Sequence, residues 1–167
     1  MAADYQVTEV ARKFAEKTGG IFIPFHAPAL VDNEKIVKTL FSDKNVEKVG
    51  NLWEKVNIAI VGIGGPLSNS SYVPVSYYSD ADIALIKKEE GVGDVLSHIL
   101  RKDGKLCSPL LSKKVVGISL EQLKKIKRVI AVAGSVRKKE AILAALKRRY
   151  IDVLVTDENV AEEILKS

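Results

Sequence analysis

The sequence predicts a three-layer α/β domain, a mostly parallel β-sheet with helices on both faces and an inserted β-hairpin. Three observations carry this. Residues 129–167 alternate strand, helix, strand, helix with short turns, a pattern that implies parallel pairing through crossover helices. The apolar run Ile58-Ala59-Ile60-Val61 suits a strand covered on both faces. Asp103-Gly104, between two extended runs, is a hairpin signal.

The elements follow in order. Val7, Val10, Ala11, Phe14 and Ala15 recur at helical spacing, and Gly19-Gly20 stops that helix. Ile21-Phe22-Ile23 reads as a short buried strand, and His26-Ala27-Pro28 as the loop after it. Asp32 or Asn33 can cap a short helix through Leu40, and Ser42 or Asp43 the next, whose apolar face is Val46, Val49, Leu52, Trp53 and Val56. Asn57 to Val61 is a strand entering a Gly-rich loop, Gly62-Ile63-Gly64-Gly65, extended by polar Ser68-Asn69-Ser70-Ser71. Ser79 and Asp82 have capping-box spacing before a helix ending near Gly91. Val95 to Leu106 is the hairpin, Val115 to Ile118 another extended piece, and Ser119 with Gln122 a second capping box. Val129 to Ala133 is a buried strand and Gly134-Ser135 its turn. Val136 to Tyr150 is a helix with Ile142, Leu143, Ala145 and Leu146 inward. Asp152 to Val155 is the last strand, and Thr156 or Asp157 caps the final helix.

A chain of 167 residues, 47% hydrophobic and 28% charged, has the length and composition of one globular domain. The single cysteine, Cys107, rules out an internal disulfide, and with only His26 and His98 beside it a four-ligand zinc site is not expected. These facts favour a reducing cytoplasm. Met1 to Arg12 lacks the apolar core of a signal peptide, and no run approaches the roughly 18 apolar residues of a membrane span, so no membrane partner is expected. The net charge of +5 would attract anionic ligands but does not by itself indicate nucleic acid.

Ligands of open α/β sheets collect beyond the carboxyl ends of the strands. Two loops leave such ends, Gly62–Ser71 and Gly134–Lys138. Glycines let backbone N–H groups approach a phosphate, and a helix N-terminus adds free donors and partial positive charge. Lys138 adds a full charge in the first helical turn, where it opposes the helix dipole until an anion arrives. The same residues also fit a steric strand-to-helix turn and a solvated basic face. Gly62–Gly65 is neither a Walker loop nor a full dinucleotide fingerprint. His26, just past a strand, and Asp94, after Gly93, can hydrogen-bond sugar hydroxyls, or serve as an exposed loop residue and a turn residue. His98, in an apolar stretch, reads as structural. The basic runs Lys124-Lys125, Lys127-Arg128 and Lys147-Arg148-Arg149 read as solvated charge.

The stretch Val116-Gly117-Ile118-Ser119-Leu120-Glu121-Gln122-Leu123-Lys124-Lys125-Ile126 is followed by Arg128-Val129-Ile130-Ala131-Val132-Ala133-Gly134. Then come Lys138, Ala141-Ile142, Ala144-Ala145-Leu146 and Asp152-Val153-Leu154-Val155-Thr156-Asp157-Glu158. Together they resemble the C-terminal effector-binding domain of SorC/DeoR-type bacterial transcriptional regulators. Pro28-Ala29-Leu30-Val31, Val61-Gly62-Ile63-Gly64 and Gly93-Asp94 fit the same pattern in the same order. The resemblance implies a Rossmann-like fold similar to the sugar-phosphate isomerase and CoA-transferase superfamily, with a phosphorylated sugar or related metabolite as effector. It implies ligand-binding roles for Gly62, Gly64, Asp94, Gly134 and Lys138, the lysine on the phosphate, beside the His26 read from its loop. Ser135 stands where the family usually has a second glycine. The family's helix-turn-helix domain does not precede residue 8, and its early strand with a Gly-Thr phosphate loop is not found either. Residues 1–167 are therefore expected to be an effector domain that touches DNA only through a helix-turn-helix outside this sequence, forms a homo-oligomer, and needs no cofactor. Two other readings stay open: a sugar-phosphate isomerase or deaminase, and an oligomerisation module without a ligand.

Overall fold

A computed structural model of the chain describes residues 7–66 and 78–167. The polar extension predicted at Ser68–Ser71 lies outside the described residues. The sheet has the order β3-β2-β1-β4-β5. Its strands are β1 (Ile58–Gly64), β2 (Gly91–Val95), β3 (His98–Arg101), β4 (Arg128–Val132) and β5 (Val153–Val155). β1, β4 and β5 pair in parallel, while β2 is antiparallel to β1 and β3 antiparallel to β2. Every strand but β2 therefore runs the same way, and the expected mostly parallel α/β class holds.

The helices are α1 (Val7–Thr18), α2 (Glu34–Phe41), α3 (Lys44–Gly50), α4 (Asp80–Lys88), α5 (Pro109–Ser112), α6 (Leu120–Leu123), α7 (Lys139–Lys147) and α8 (Glu158–Leu165). Their starts are set by side chains that satisfy the free N–H groups of a first turn. Asn33 caps α2, Asp43 caps α3 and Asp157 caps α8, while Ser79 with Asp82 and Ser119 with Gln122 close full capping boxes on α4 and α6. The apolar residues beyond α3 do not continue it: Trp53–Lys55 is a separate 3-10 turn. The helix predicted from Val136 begins as a 3-10 turn, Val136–Lys138, before α7.

The main core lies on one face of the sheet. Val61, Ile63, Val95, Leu100, Val129 and Ala131 meet Ala141, Ile142, Ala144 and Ala145 of α7 and Val160 of α8. Each fully buried Ile or Val there stabilises the fold by about 1.5–3 kcal/mol relative to exposure. A second cluster, Tyr78, Ile86, Ile99, Cys107 and Leu111, seats α4 and α5 near the β2–β3 end. Ile99 and Leu100 are neighbours in β3 yet belong to different clusters, so the two lie on opposite faces.

Three local expectations are corrected. β1 is not covered on both faces: Ile58 and Ile60 are 60% and 55% exposed while Val61 and Ile63 are buried. An apolar run shows what a strand can bury, and the cover has to come from elsewhere. Ile21-Phe22-Ile23 forms no strand, and Ile21 is 89% exposed. The hairpin predicted around Asp103-Gly104 is the second of two successive turns. β2 and β3 are joined at Leu96-Ser97, whose φ values of 54° and 67° build a two-residue turn without glycine or asparagine. Asp103-Gly104 then folds the chain back so that Arg101 N–H donates to the Lys105 carbonyl and Leu100 bridges Leu106.

Candidate functional site

β1 and β4 are adjacent and parallel, so both deliver their carboxyl ends to one edge of the sheet. From there the chain leads to α4 and β2 on one side and to α7 and β5 on the other. This divergence opens the crevice in which such sheets hold ligands.

Gly64 ends β1 opposite Asp94 of β2. A Cβ on Gly64 would fall 1.8 Å from Asp94 Oδ1, so the glycine is what allows the carboxylate to lie against the strand. The other carboxylate oxygen, Oδ2, accepts the Ser97 N–H at 2.9 Å and so holds the Leu96-Ser97 turn. Burial pushes the Asp94 carboxyl above its ordinary range, while the Ser97 N–H and the charge of Lys138 pull it back down. Buried Tyr78 stands in the field of Asp94; its hydroxyl is pushed up by burial first and by that carboxylate second.

Lys138 comes from the other loop. A Cβ on Gly65 would touch its Cγ at 3.4 Å, so the lysine stem lies along the backbone that leaves β1. Among the described residues Lys138 has no ion pair, whereas its neighbour Lys139 meets Glu163 at 3.2 Å. The N–H groups of Lys138 and Lys139 close the 3-10 turn onto Ser135 and Val136. Those of Val136 and Arg137 have no acceptor among the described residues.

The Gly134-Ser135 turn already holds one anion of its own. Asp157 Oδ2 accepts the Ser135 N–H at 2.9 Å and Oδ1 accepts the Val160 N–H at 3.0 Å. These backbone donors, Ser135 first, hold the Asp157 carboxyl below the usual range. A Cβ on Gly134 would lie 2.9 Å from the same oxygen, which accounts for glycine there. Ser135 itself sits at φ 86°, a conformation that a side chain disfavours.

The structure thus gathers Gly64, Asp94 and Lys138 at one strand end, with Gly134 in the turn that leads to Lys138. Gly62 is not in a loop: it pairs with Val132 inside β1, and nothing lies within 4 Å of where its Cβ would be. His26 is not brought to this cluster. It is exposed and lines a groove of about 450 Å³ with Ile23, Phe25, Val46, Val49 and Leu52. A smaller cleft of about 260 Å³ lies between Trp53, Val56, Ile118 and Gln122. Neither hollow reaches the strand-end residues, and the glycines, unpaired cation and carboxylate are at the strand ends. His98 is structural as expected: buried, with its ring nitrogens 2.8 Å from the Ser112 hydroxyl and 3.0 Å from the Ile118 carbonyl. No group of three or more His, Cys, Asp or Glu suited to a metal occurs among the described residues. None of their helices is long and apolar enough to cross a membrane.

Sequence reasoning missed Tyr78 and the second duty of Asp157. The aspartate was legible as a cap, but its reach to Ser135 depends on β4 and β5 lying side by side.

Comparison with known proteins agrees with this architecture. Residues 1–166 match the family described as "Putative sugar-binding domain". The chain is 28% identical over 159 residues to the deoxyribonucleoside regulator of Bacillus subtilis, covering 94% of this chain and 50% of that protein. It is 29% identical over 139 residues to the sorbitol operon regulator of Klebsiella pneumoniae, covering 83% and 44%. Among solved structures, a DeoR family transcriptional regulator from Listeria monocytogenes superposes with a TM-score of 0.86 at 32% identity, covering 98% of this chain and 66% of that one. The full-length sorbitol operon regulator SorC from Klebsiella pneumoniae superposes with a TM-score of 0.90 at 25% identity, covering 99% and 54%. The chain spans about half the length of the curated relatives it matches.

Proposed function

The chain belongs to the sugar-binding-domain family of SorC/DeoR-type transcriptional regulators, and on that premise we propose that it is an effector domain whose strand-end cluster takes a phosphorylated sugar or a related metabolite. The observation that carries this is Lys138, a cation without an ion pair among the described residues, laid over Gly65 within the field of Asp94. The phosphate would rest on the Lys138 ammonium and the free Val136 and Arg137 N–H groups, where the helix dipole favours an anion. Gly62 and Gly64 form the glycine-rich wall on the β1 side. Asp94 has Oδ1 left for a sugar hydroxyl, since Oδ2 is engaged by Ser97. Gly134 lets the opposite wall turn closely, and His26 serves as a peripheral contact only if the ligand extends beyond this cluster.

In this reading the domain binds without turnover, acts in the cytoplasm and works within a homo-oligomer. DNA is contacted by a separate helix-turn-helix of the assembled regulator. The ligand regulates by preferring one of two oligomer states, and its differential affinity sets how far the equilibrium moves.

The test is a thermal-shift series with hexose phosphates, pentose phosphates, sugar bisphosphates and the corresponding free sugars, on wild type and Lys138→Ala. At about 100 times Kd a ligand adds roughly 2.7 kcal/mol, about 5–10 °C in Tm for a chain of this size. One phosphorylated sugar should produce that shift in wild type and lose most of it in Lys138→Ala, with the ligand-free Tm unchanged. Equal stabilisation by the free sugar overturns the phosphate assignment, and no stabilisation by any ligand overturns the sensor.

A further inference from the structure

We infer that Asp157 is a positioning residue of the anion site: its carboxylate holds Ser135 in a conformation that a side chain disfavours, and that conformation presents Lys138 and the Val136 and Arg137 N–H groups to the ligand. The inference rests on the preceding reading that an anion binds at this turn.

The turn is strained at one residue. Ser135 has φ 86° and ψ 124°, outside the regions open to a residue with a Cβ. Such a residue persists only where its surroundings hold it. Two hydrogen bonds hold Ser135. Its N–H donates to Asp157 Oδ2 at 2.9 Å, and its carbonyl accepts the Lys138 N–H at 2.9 Å. The second of these closes the 3-10 turn Val136–Lys138 and belongs to the turn itself. The first comes from outside, and a hydrogen bond to a charged acceptor is comparable in strength to the strain of one such residue.

Asp157 is fixed without help from Ser135. β4 and β5 pair with Val132 opposite Val155, and the Ala133 N–H donates to the Val155 carbonyl at 3.0 Å, so the register carries Asp157 alongside Gly134. Asp157 Oδ1 accepts the Val160 N–H at 3.0 Å as the cap of α8, and Val160 is fully buried. Gly134 leaves room for the carboxylate, since a Cβ there would lie 2.9 Å from Oδ2. Next to the turn, Lys139 meets Glu163 at 3.2 Å, a second tie between the start of α7 and α8. α8 is thus the post to which this wall of the site is fastened.

Without Asp157 the Ser135 N–H loses its acceptor and the residue can return to negative φ. Its carbonyl then swings away from the Lys138 N–H, and the 3-10 turn opens. The apparent affinity falls by the fraction of chains that keep the turn. Charge alone predicts the opposite sign. A carboxylate bonded to the residue just before the free N–H groups repels a phosphate, so removing it should strengthen binding. The direction of the change separates the two.

The test titrates inorganic phosphate into the isotope-labelled chain at constant ionic strength, following the Val136, Arg137 and Lys138 amides by NMR. The main variant is Asp157→Ser. Serine caps helices about as well as aspartate, so the Val160 N–H keeps an acceptor, but its single oxygen sits one bond closer to the backbone and does not reach Ser135. Because the cap is kept the variant stays folded, which circular dichroism checks. Phosphate should bind wild type and bind Asp157→Ser at least about fivefold more weakly. In a Ser135→Gly background, where φ 86° carries no strain, the same substitution should cost less than about twofold. Before phosphate is added, the strong intraresidue HN–Hα cross-peak of Ser135, the mark of positive φ, should be lost in Asp157→Ser. Equal or tighter binding in Asp157→Ser overturns the inference. So does a Ser135 that stays at positive φ in that variant, or a loss of the same size in the Ser135→Gly background. Amides that phosphate leaves unmoved in wild type overturn the anion site and the positioning role with it, a result distinct from the others because wild type itself fails.

Discussion

Replacing Gly64 by alanine should damage the site through its support. The new methyl carbon would stand 1.8 Å from Asp94 Oδ1 and 2.9 Å from its Cγ. The carboxylate must move by more than an ångström, and it is held by the 2.9 Å bond from the Ser97 N–H. Losing a hydrogen bond to a charged acceptor costs about 1.5–3 kcal/mol, and overpacking adds about 1–3 kcal/mol. Removing glycine from a strand returns about 0.5–1 kcal/mol. The net loss is about 3 kcal/mol, or roughly 6–12 °C in Tm for a chain of this size. Equilibrium urea unfolding followed by far-UV circular dichroism measures it directly. Gly62→Ala is the internal control, two residues earlier in the same strand with no atom within 4 Å of the added carbon; it should be neutral or stabilising by up to about 1 kcal/mol. In an Asp94→Ala background the Gly64→Ala loss should shrink below about 1 kcal/mol, because the atom it strikes is gone. If Gly64→Ala unfolds within about 0.5 kcal/mol of wild type, or loses as much without Asp94 as with it, the packing of Asp94 against β1 is wrong.

Three further expectations concern single residues. Ser135→Gly should stabilise by about 1 kcal/mol, since a side chain at φ 86° carries about 1–3 kcal/mol of strain and glycine's added freedom offsets part of the gain; a lower Tm would contradict the strained turn. Asp157→Ala should lower Tm at neutral pH, because both the α8 cap and the Ser135 N–H lose their acceptor. The native carboxyl is held below the ordinary range, so its stabilisation is present above that range and lost as pH falls through the folded value. Thermal melts should therefore converge for variant and wild type in acid. His98→Phe leaves the Ser112 hydroxyl and Ile118 carbonyl unpaired and should cost about 2–4 kcal/mol in urea unfolding. Burial keeps the His98 imidazole below its ordinary value of 6.5. The unfolded chain then binds the extra proton, and wild-type stability should decline as pH falls from about 7 toward 5. The variant should lack that slope.

The features legible in the sequence are those whose physics is local. Ser79 with Asp82 and Ser119 with Gln122 cap helices as read, and Asn33, Asp43 and Asp157 are the caps among the two candidates read at each of those starts, because a cap and the N–H it satisfies lie within three residues. The strands at Ile58 and Val129 were legible as apolar runs, and the parallel pairing of β4 with β5 followed from the short crossover between them. Lys138 was legible as a cation in a first helical turn. The joining turn at Leu96-Ser97 was not, because neither residue favours positive φ and the turn is held by Asp94. Local patterning likewise does not show whether Ile21 or Ile60 is covered.

The sequence by itself therefore determined the class of fold, the capped starts of several helices, the Gly134–Lys138 turn and the resemblance to an effector domain, all of which rest on contacts near in sequence or on a pattern running along it. Only the tertiary structure decided that Asp94 lies on Gly64, that Asp157 fills the Ser135 donor, that Lys138 crosses Gly65 while His26 stays apart, and that Ile58 and Ile60 of β1 are exposed. Each of these depends on which strand lies beside which, and that follows from how the whole sheet closes over its core.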